Sequence, residues 1–92
     1  LGNMEGSEYD SIPYTAVECR EHIAKAREAE QKSCVLLKND GILPLDMEKI
    51  RTLAVIGPNA NSRVSLIGNY HGTSSRYITV LEGIQDAITS TL

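Results

Sequence analysis

Tryptophan and phenylalanine are absent from these 92 residues, and four tyrosines are the whole aromatic complement. Any core must therefore be built from Leu, Ile, Val and Ala, without the large anchors that bury most area per residue. A basic excess is also missing: the net charge is −3. A surface that tracks nucleic-acid phosphates needs a stripe of Lys and Arg, so nucleic acid is not an expected partner. No apolar run approaches the roughly 20 residues needed to cross a bilayer, so no membrane partner is expected either. No signal-peptide pattern opens the chain, which says little about compartment. The first residue is Leu1 rather than an initiator Met, and the opening reads as the tail of something upstream. A piece of a longer polypeptide is expected, because a lone chain of this length buries only a modest core.

Two cysteines, Cys19 and Cys34, match no metal-ligand spacing. On one helix they would stand roughly 22 Å apart, against the roughly 7 Å between Cα atoms that a disulfide tolerates. Free, buried thiols are expected, with no metal and no cofactor. The sequence also lacks an N-glycosylation sequon, an internal repeat and a low-complexity tract.

What is present falls into three stretches. Residues 1–14 contain glycines, Ser7, Ser11 and Pro13, show no periodicity, and read as a linker anchored by Tyr9, Ile12 and Tyr14. Thr15-Ala16-Val17-Glu18 has the form of a capping box, with Tyr14 and Cys19 placed as a hydrophobic staple, so a helix is expected from Thr15. Ala16, Cys19, Ile23, Ala26 and Cys34 give it one apolar stripe. Glu21 with Lys25, and Glu28 with Lys32, are i,i+4 pairs for its outer face. Glu30 falls within the stripe and is expected to swing to its edge, towards Arg27, while His22 lies on the solvated side. Val35-Leu36-Leu37 and Ile42-Leu43-Pro44-Leu45 then flank Lys38-Asn39-Asp40-Gly41, which predicts a hairpin with Gly41 at positive φ. Pro44 confines its strand to a sheet edge.

The third stretch is the one that points to function. Leu53-Ala54-Val55-Ile56 is a continuous apolar run stopped at Gly57-Pro58, the pattern of a strand buried on both faces. Residues 59–72 would leave that strand at its carboxyl end, where open parallel sheets bind ligands. Residues 64–67 fit either a short strand or a helical turn. Thr79-Val80-Leu81-Glu82 is a second capping box, opening a helix with Leu81, Ile84 and Ile88 inward. The twelve Asp and Glu residues read as caps, ion-pair partners or turn residues, with Glu18 and Glu82 in the two boxes.

Lys32-Ser33-Cys34-Val35-Leu36-Leu37-Lys38-Asn39-Asp40-Gly41-Ile42-Leu43-Pro44-Leu45, followed by Ala54-Val55-Ile56-Gly57-Pro58-Asn59-Ala60, resembles family 3 glycoside hydrolases. Gly68-Asn69-Tyr70-His71-Gly72, then Arg76-Tyr77 and Leu81-Glu82-Gly83-Ile84, is similar to their β-xylosidase and β-glucosidase members. Tyr9-Asp10 with Ile12-Pro13-Tyr14 leans towards the β-xylosidases. The resemblance covers essentially the whole chain. It implies an α/β fold class: an inter-domain linker over 1–14, a connecting helix and short edge hairpin over 15–45, and over 46–92 the first strand–loop–helix unit of an α/β sandwich domain. It also implies a (β/α)8-type barrel as partner domain and a β-glycoside or oligosaccharide as substrate. A retaining, exo-acting β-glycosidase of this kind places its nucleophilic aspartate on the barrel and its acid/base glutamate further along the sandwich, so no catalytic residue is expected here.

By position, the loop after the first strand approaches the barrel mouth in this family, which makes Asn69, Tyr70 and His71 the candidate substrate-binding residues. Asn and His can hydrogen-bond sugar hydroxyls, and Tyr offers a ring face or its hydroxyl. Gly68 and Gly72 would let the backbone turn sharply beside a ligand. The ordinary alternative is a surface loop whose Tyr70 packs on the barrel. Arg76 is expected in a structural ion pair or domain interface. Ser74 and Val80 stand where the family often has Pro, so the last helix leans more on Thr79 for its start; Glu30 stands where a small residue is usual. Two other readings remain: a non-catalytic carbohydrate-binding or interaction protein of the same fold, and a nucleotide-binding module. The second has Ala-Val-Ile-Gly before a loop but lacks the Gly-x-Gly-x-x-Gly that the phosphate turn requires.

Overall fold

The computed structural model describes residues 6–91. Regular structure consists of short 3-10 turns at Glu8–Ser11, Tyr14–Ala16 and Val64–Leu66, and two α-helices, α1 (Arg20–Ser33) and α2 (Val80–Thr91). No strand occurs among the described residues, which corrects both the expected hairpin and the strand over 53–56. The described chain divides into two units between Lys38 and Asn39.

In the first unit, α1 starts later than its sequence suggests. Thr15 lies in a 3-10 turn closed by the Val17 N–H donating to Tyr14 O at 3.0 Å. Glu18 then has φ +59, a left-handed conformation that a right-handed helix cannot contain. The Thr15–Glu18 capping box and the Tyr14–Cys19 staple therefore do not form. Cys19 becomes the N-cap in extended geometry, without a side-chain cap bond. Glu21 lies in the first turn of α1. Its carboxyl is held below the ordinary glutamate range by its own backbone N–H and then by the Cys19 side chain, as suits an anion in the first helical turn.

Along α1, Glu28 accepts from Lys32 at 2.9 Å, the expected i,i+4 pair, and from Lys25 at 2.7 Å. Lys25 thus pairs forward, where Glu21 was its expected partner. The two ammonium groups hold the Glu28 carboxyl below its usual range, Lys25 having the larger effect. Glu30 and His22 are exposed. Cys19 and Cys34 are free thiols at opposite ends of α1; Cys34 is exposed and Cys19 half-buried, so neither is the buried thiol expected.

In the second unit, the segment around Asn39 shows why no hairpin forms there. The Asn39 side chain accepts from the Ile42 and Leu43 N–H groups, each at 3.1 Å, and donates to Leu43 O at 3.0 Å. Those backbone groups are the ones a cross-strand ladder would use, and a local side-chain partner satisfies them first. Pro44, joined to Leu43 by a cis peptide bond, has no N–H to offer a ladder. Gly41 does sit at positive φ, +90, as the turn reading requires. Residues 53–56 have the composition of a doubly buried strand, but a strand exists only through a neighbour's hydrogen bonds.

Among the described residues no hydrophobic side chain is buried. Leu37 is 91% exposed and Ile56 89%. Apolar burial is the main favourable contribution to folding, so side chains that are Leu, Ile and Val by sequence and open to water by structure are surfaces awaiting other packing.

Candidate functional site

A cluster of hydrogen bonds in the second unit lies where α2 begins. Thr79 is 2% exposed and is the one buried residue among those described. Its hydroxyl accepts from the Glu82 N–H at 3.2 Å and donates to Asn61 Oδ1 at 2.8 Å, so its proton and one lone pair are both engaged. Thr79 O accepts from the Gly83 N–H at 2.9 Å. The N-cap predicted from Thr79-Val80-Leu81-Glu82 is therefore real. Its second half differs, because the Glu82 carboxylate turns to Arg63 Nη2 at 2.8 Å. The Leu81 N–H donates to Ala60 O at 2.9 Å. The first turn of α2 is thus bonded to Ala60, Asn61 and Arg63, which follow the turn at Gly57.

Between these two ends hangs a loop of residues 64–78. Its first part is the 3-10 turn Val64–Leu66, which settles the strand-or-turn ambiguity. Ser62 starts it: Ser62 Oγ accepts from the Ser65 N–H at 3.3 Å, and Ser65 Oγ donates to Ser62 O at 2.8 Å. On the return path the Ser74 N–H donates to Tyr77 Oη at 3.1 Å. Arg76 pairs with Asp86 on α2 at 3.6 Å, as its structural reading anticipated.

Asn69, Tyr70 and His71 sit at the far part of this loop, all exposed. Gly68 has φ +66 and Tyr70 φ +53. The sharp turning expected of Gly68 and Gly72 is thus performed by Gly68 and Tyr70. A tyrosine in the left-handed region is an uncommon and strained choice, and such residues concentrate at functional sites. His71 Nδ1 lies 2.9 Å from Gly72 O. A carbonyl only accepts, so Nδ1 is the donor in this bond, and in the tautomer that carries its one proton there Nε2 is an acceptor. The loop therefore offers one amide, one phenol and one imidazole acceptor to whatever approaches it.

A depression of about 80 Å³ lined by Leu45, Met47, Ile50, Arg51, Thr52, Leu53 and Ile88 is mainly apolar and far below the several hundred Å³ of a ligand pocket. Among the described residues no group of three His, Cys, Asp or Glu could hold a metal ion, and no helix is long and apolar enough to cross a membrane. Four of the twelve acidic residues are engaged structurally: Glu28 with Lys25 and Lys32, Asp46 with Lys49 and the Glu48 N–H, Glu82 with Arg63, and Asp86 with Arg76. What sequence reasoning missed is the tie from Asn61 and Arg63 to Thr79 and Glu82. Partners 18 and 19 residues apart leave no periodic signal.

Residues 34–91, more than half of the chain, match the model of the glycosyl hydrolase family 3 C-terminal domain. The chain belongs to glycosyl hydrolase family 3. It is 51% identical over 67 residues, 72% of its length, to beta-D-xylosidase 3 of Arabidopsis thaliana, of which this is 9%. A xylan 1,4-beta-xylosidase of Xylanibacter ruminicola is 35% identical over 92% of the chain and 10% of its own length. A periplasmic beta-glucosidase of Salmonella typhimurium is 39% identical over 96% of the chain and 11% of its own. The chain thus spans about a tenth of the length of the curated relatives it matches. No solved structure matches it.

Proposed function

We propose that this family 3 chain is part of a retaining, exo-acting β-glycosidase, a β-xylosidase or β-glucosidase that releases terminal β-linked sugars from oligosaccharides. The observation that carries the reading is that the relatives named above, matched over most of this chain, are β-xylosidases and a β-glucosidase. In this reading residues 1–14 link two domains and 15–45 connect them. Residues 46–92 open an α/β sandwich whose further strands would cover the exposed apolar side chains at 53–56. A barrel domain of the same polypeptide would supply the floor of the sugar site.

Retaining hydrolysis needs a nucleophilic carboxylate and an acid/base carboxylate roughly 5 Å apart across the glycosidic bond. Glu28, Asp46, Glu82 and Asp86 each face a cation in this chain, so their charges serve its own structure. The contribution assigned to the chain is one edge of the site. The Asn69 amide would donate to or accept from a sugar hydroxyl, His71 Nε2 would accept from another, and Tyr70 would present its ring or hydroxyl. The strained, fully exposed Tyr70 supports that assignment.

Kinetics of the full-length polypeptide on nitrophenyl xyloside and glucoside test the proposal. Each of Asn69→Ala and His71→Ala should raise KM about two- to tenfold, the span of one neutral hydrogen bond, and leave kcat within a factor of about two, since neither bonds the reacting carbon. Hydrolysis by the 92-residue chain alone would place the carboxylates wrongly. A full-length protein that binds glycosides and cleaves none would instead be the non-catalytic binding protein.

A further inference from the structure

The loop bearing Asn69, Tyr70 and His71 is long, and short-range bonds alone would not say where its far part stands. Four interactions tie its base to α2, three at the start of the helix, Leu81 N–H to Ala60 O, Thr79 Oγ1 to Asn61 and Arg63 to Glu82, and one further along, Arg76 to Asp86. The second is made by the buried Thr79, while Arg63 reaches Glu82 from the residue just before the 3-10 turn Val64–Leu66. Ser62 also bonds Ser65 within that turn, so the residues on either side of Arg63 are joined to each other where Arg63 is held. Arg63 donates to a carboxylate whose backbone N–H is already held by Thr79, so loop and helix cap share one residue, Glu82.

We infer that Arg63 and Asn61 are positioning residues: by tying the loop to the first turn of α2 they set where residues 68–72 stand, and hence how tightly a glycoside's terminal sugar is held. The inference rests on the reading of that loop as an edge of the sugar site. Neither residue touches the sugar in this scheme. Arg63 acts through the 3-10 turn it anchors, and Asn61 through the Thr79 hydroxyl it orients.

The test uses the full-length polypeptide with Arg63→Met, Glu82→Gln, Asn61→Ala and the charge-reversed pair Arg63→Glu with Glu82→Arg. Amide exchange over 64–78 and the split between KM and kcat on a nitrophenyl glycoside are read for each. Arg63→Met and Glu82→Gln should speed exchange about 1.4- to fivefold, the range an exposed ion pair can set, and raise KM by a similar factor with kcat unchanged. Asn61→Ala should act in the same direction. The reversed pair should restore both readouts, which a mere loss of folding would not do. Unchanged exchange in Arg63→Met, or no rescue by the reversed pair, overturns the inference. A raised KM in Asn69→Ala or His71→Ala without one in Arg63→Met overturns the positioning role alone. If exchange responds but none of these variants moves KM, the sugar-edge reading has failed and the inference falls with it.

Discussion

Thr79→Val separates a capping hydroxyl from a buried side chain of the same shape. Thr79 is 2% exposed, so the substitution changes chemistry and barely changes volume. It removes the acceptor of the Glu82 N–H at 3.2 Å and the donor to Asn61 Oδ1 at 2.8 Å. Losing an N-cap costs about 1 kcal/mol. The bond to Asn61 adds about 0.5 kcal/mol rather than a full hydrogen bond, because Asn61 is exposed and water replaces its partner. The sum is about 1.5 kcal/mol, a roughly tenfold loss of protection for the Glu82 and Gly83 amides in native-state hydrogen exchange. Thr79→Ser is the control: it keeps both bonds and loses one buried methyl, about 0.8 kcal/mol or roughly fourfold. In the full-length polypeptide, Val should therefore open the first turn of α2 more readily than Ser. Protection in the Val variant equal to or above that in the Ser variant would refute the view that the hydroxyl, rather than its burial, starts this helix.

Gly57 has φ +138 with nothing within 4 Å of where a Cβ would stand, so Gly57→Ala should destabilise by about 1–3 kcal/mol through the backbone alone; urea titration against Gly72→Ala, where φ is ordinary, isolates that cost. The Glu28 carboxyl is depressed by Lys25 and Lys32, so its support of α1 is complete above the ordinary glutamate range and fades as pH falls through the depressed value. An NMR titration should show the Glu28 midpoint rising in Lys25→Met/Lys32→Met; a midpoint that stays put would dismiss the pairs. The 92-residue chain on its own should show no cooperative calorimetric transition, because no hydrophobic side chain among its described residues is buried. A sharp heat-capacity peak would contradict that.

The two capping boxes show what a local pattern can and cannot convey. Thr79 caps as its spacing to Glu82 predicts, with the chain before it held by Ala60 and Asn61, while the Glu82 carboxylate goes to Arg63 instead of back to the cap. Thr15 and Glu18 have the same spacing and fail, because Glu18 adopts φ +59 and breaks the helical path. The i,i+4 partner of Glu28 was legible in the same local way, and so was the need for positive φ at Gly41. The hairpin was not: Val35-Leu36-Leu37 and Ile42-Leu43-Pro44-Leu45 flank a good turn, yet the Asn39 amide oxygen captures the Ile42 and Leu43 N–H groups first.

Sequence by itself determined the family, since the residues from Lys32 to Ala60 and the Asn69-Tyr70-His71 loop are recognisable in order and spacing without coordinates. It also determined α2, whose cap and stripe are local properties of adjacent residues. Tertiary structure alone decided what holds the loop. Arg63 meets Glu82, and Asn61 meets Thr79, across separations at which a chain carries no periodic memory of its partner. It also decided that Tyr70, not Gly72, takes the left-handed turn. Backbone conformation at one residue follows from where both ends of the loop are tied, and those ties are made in space.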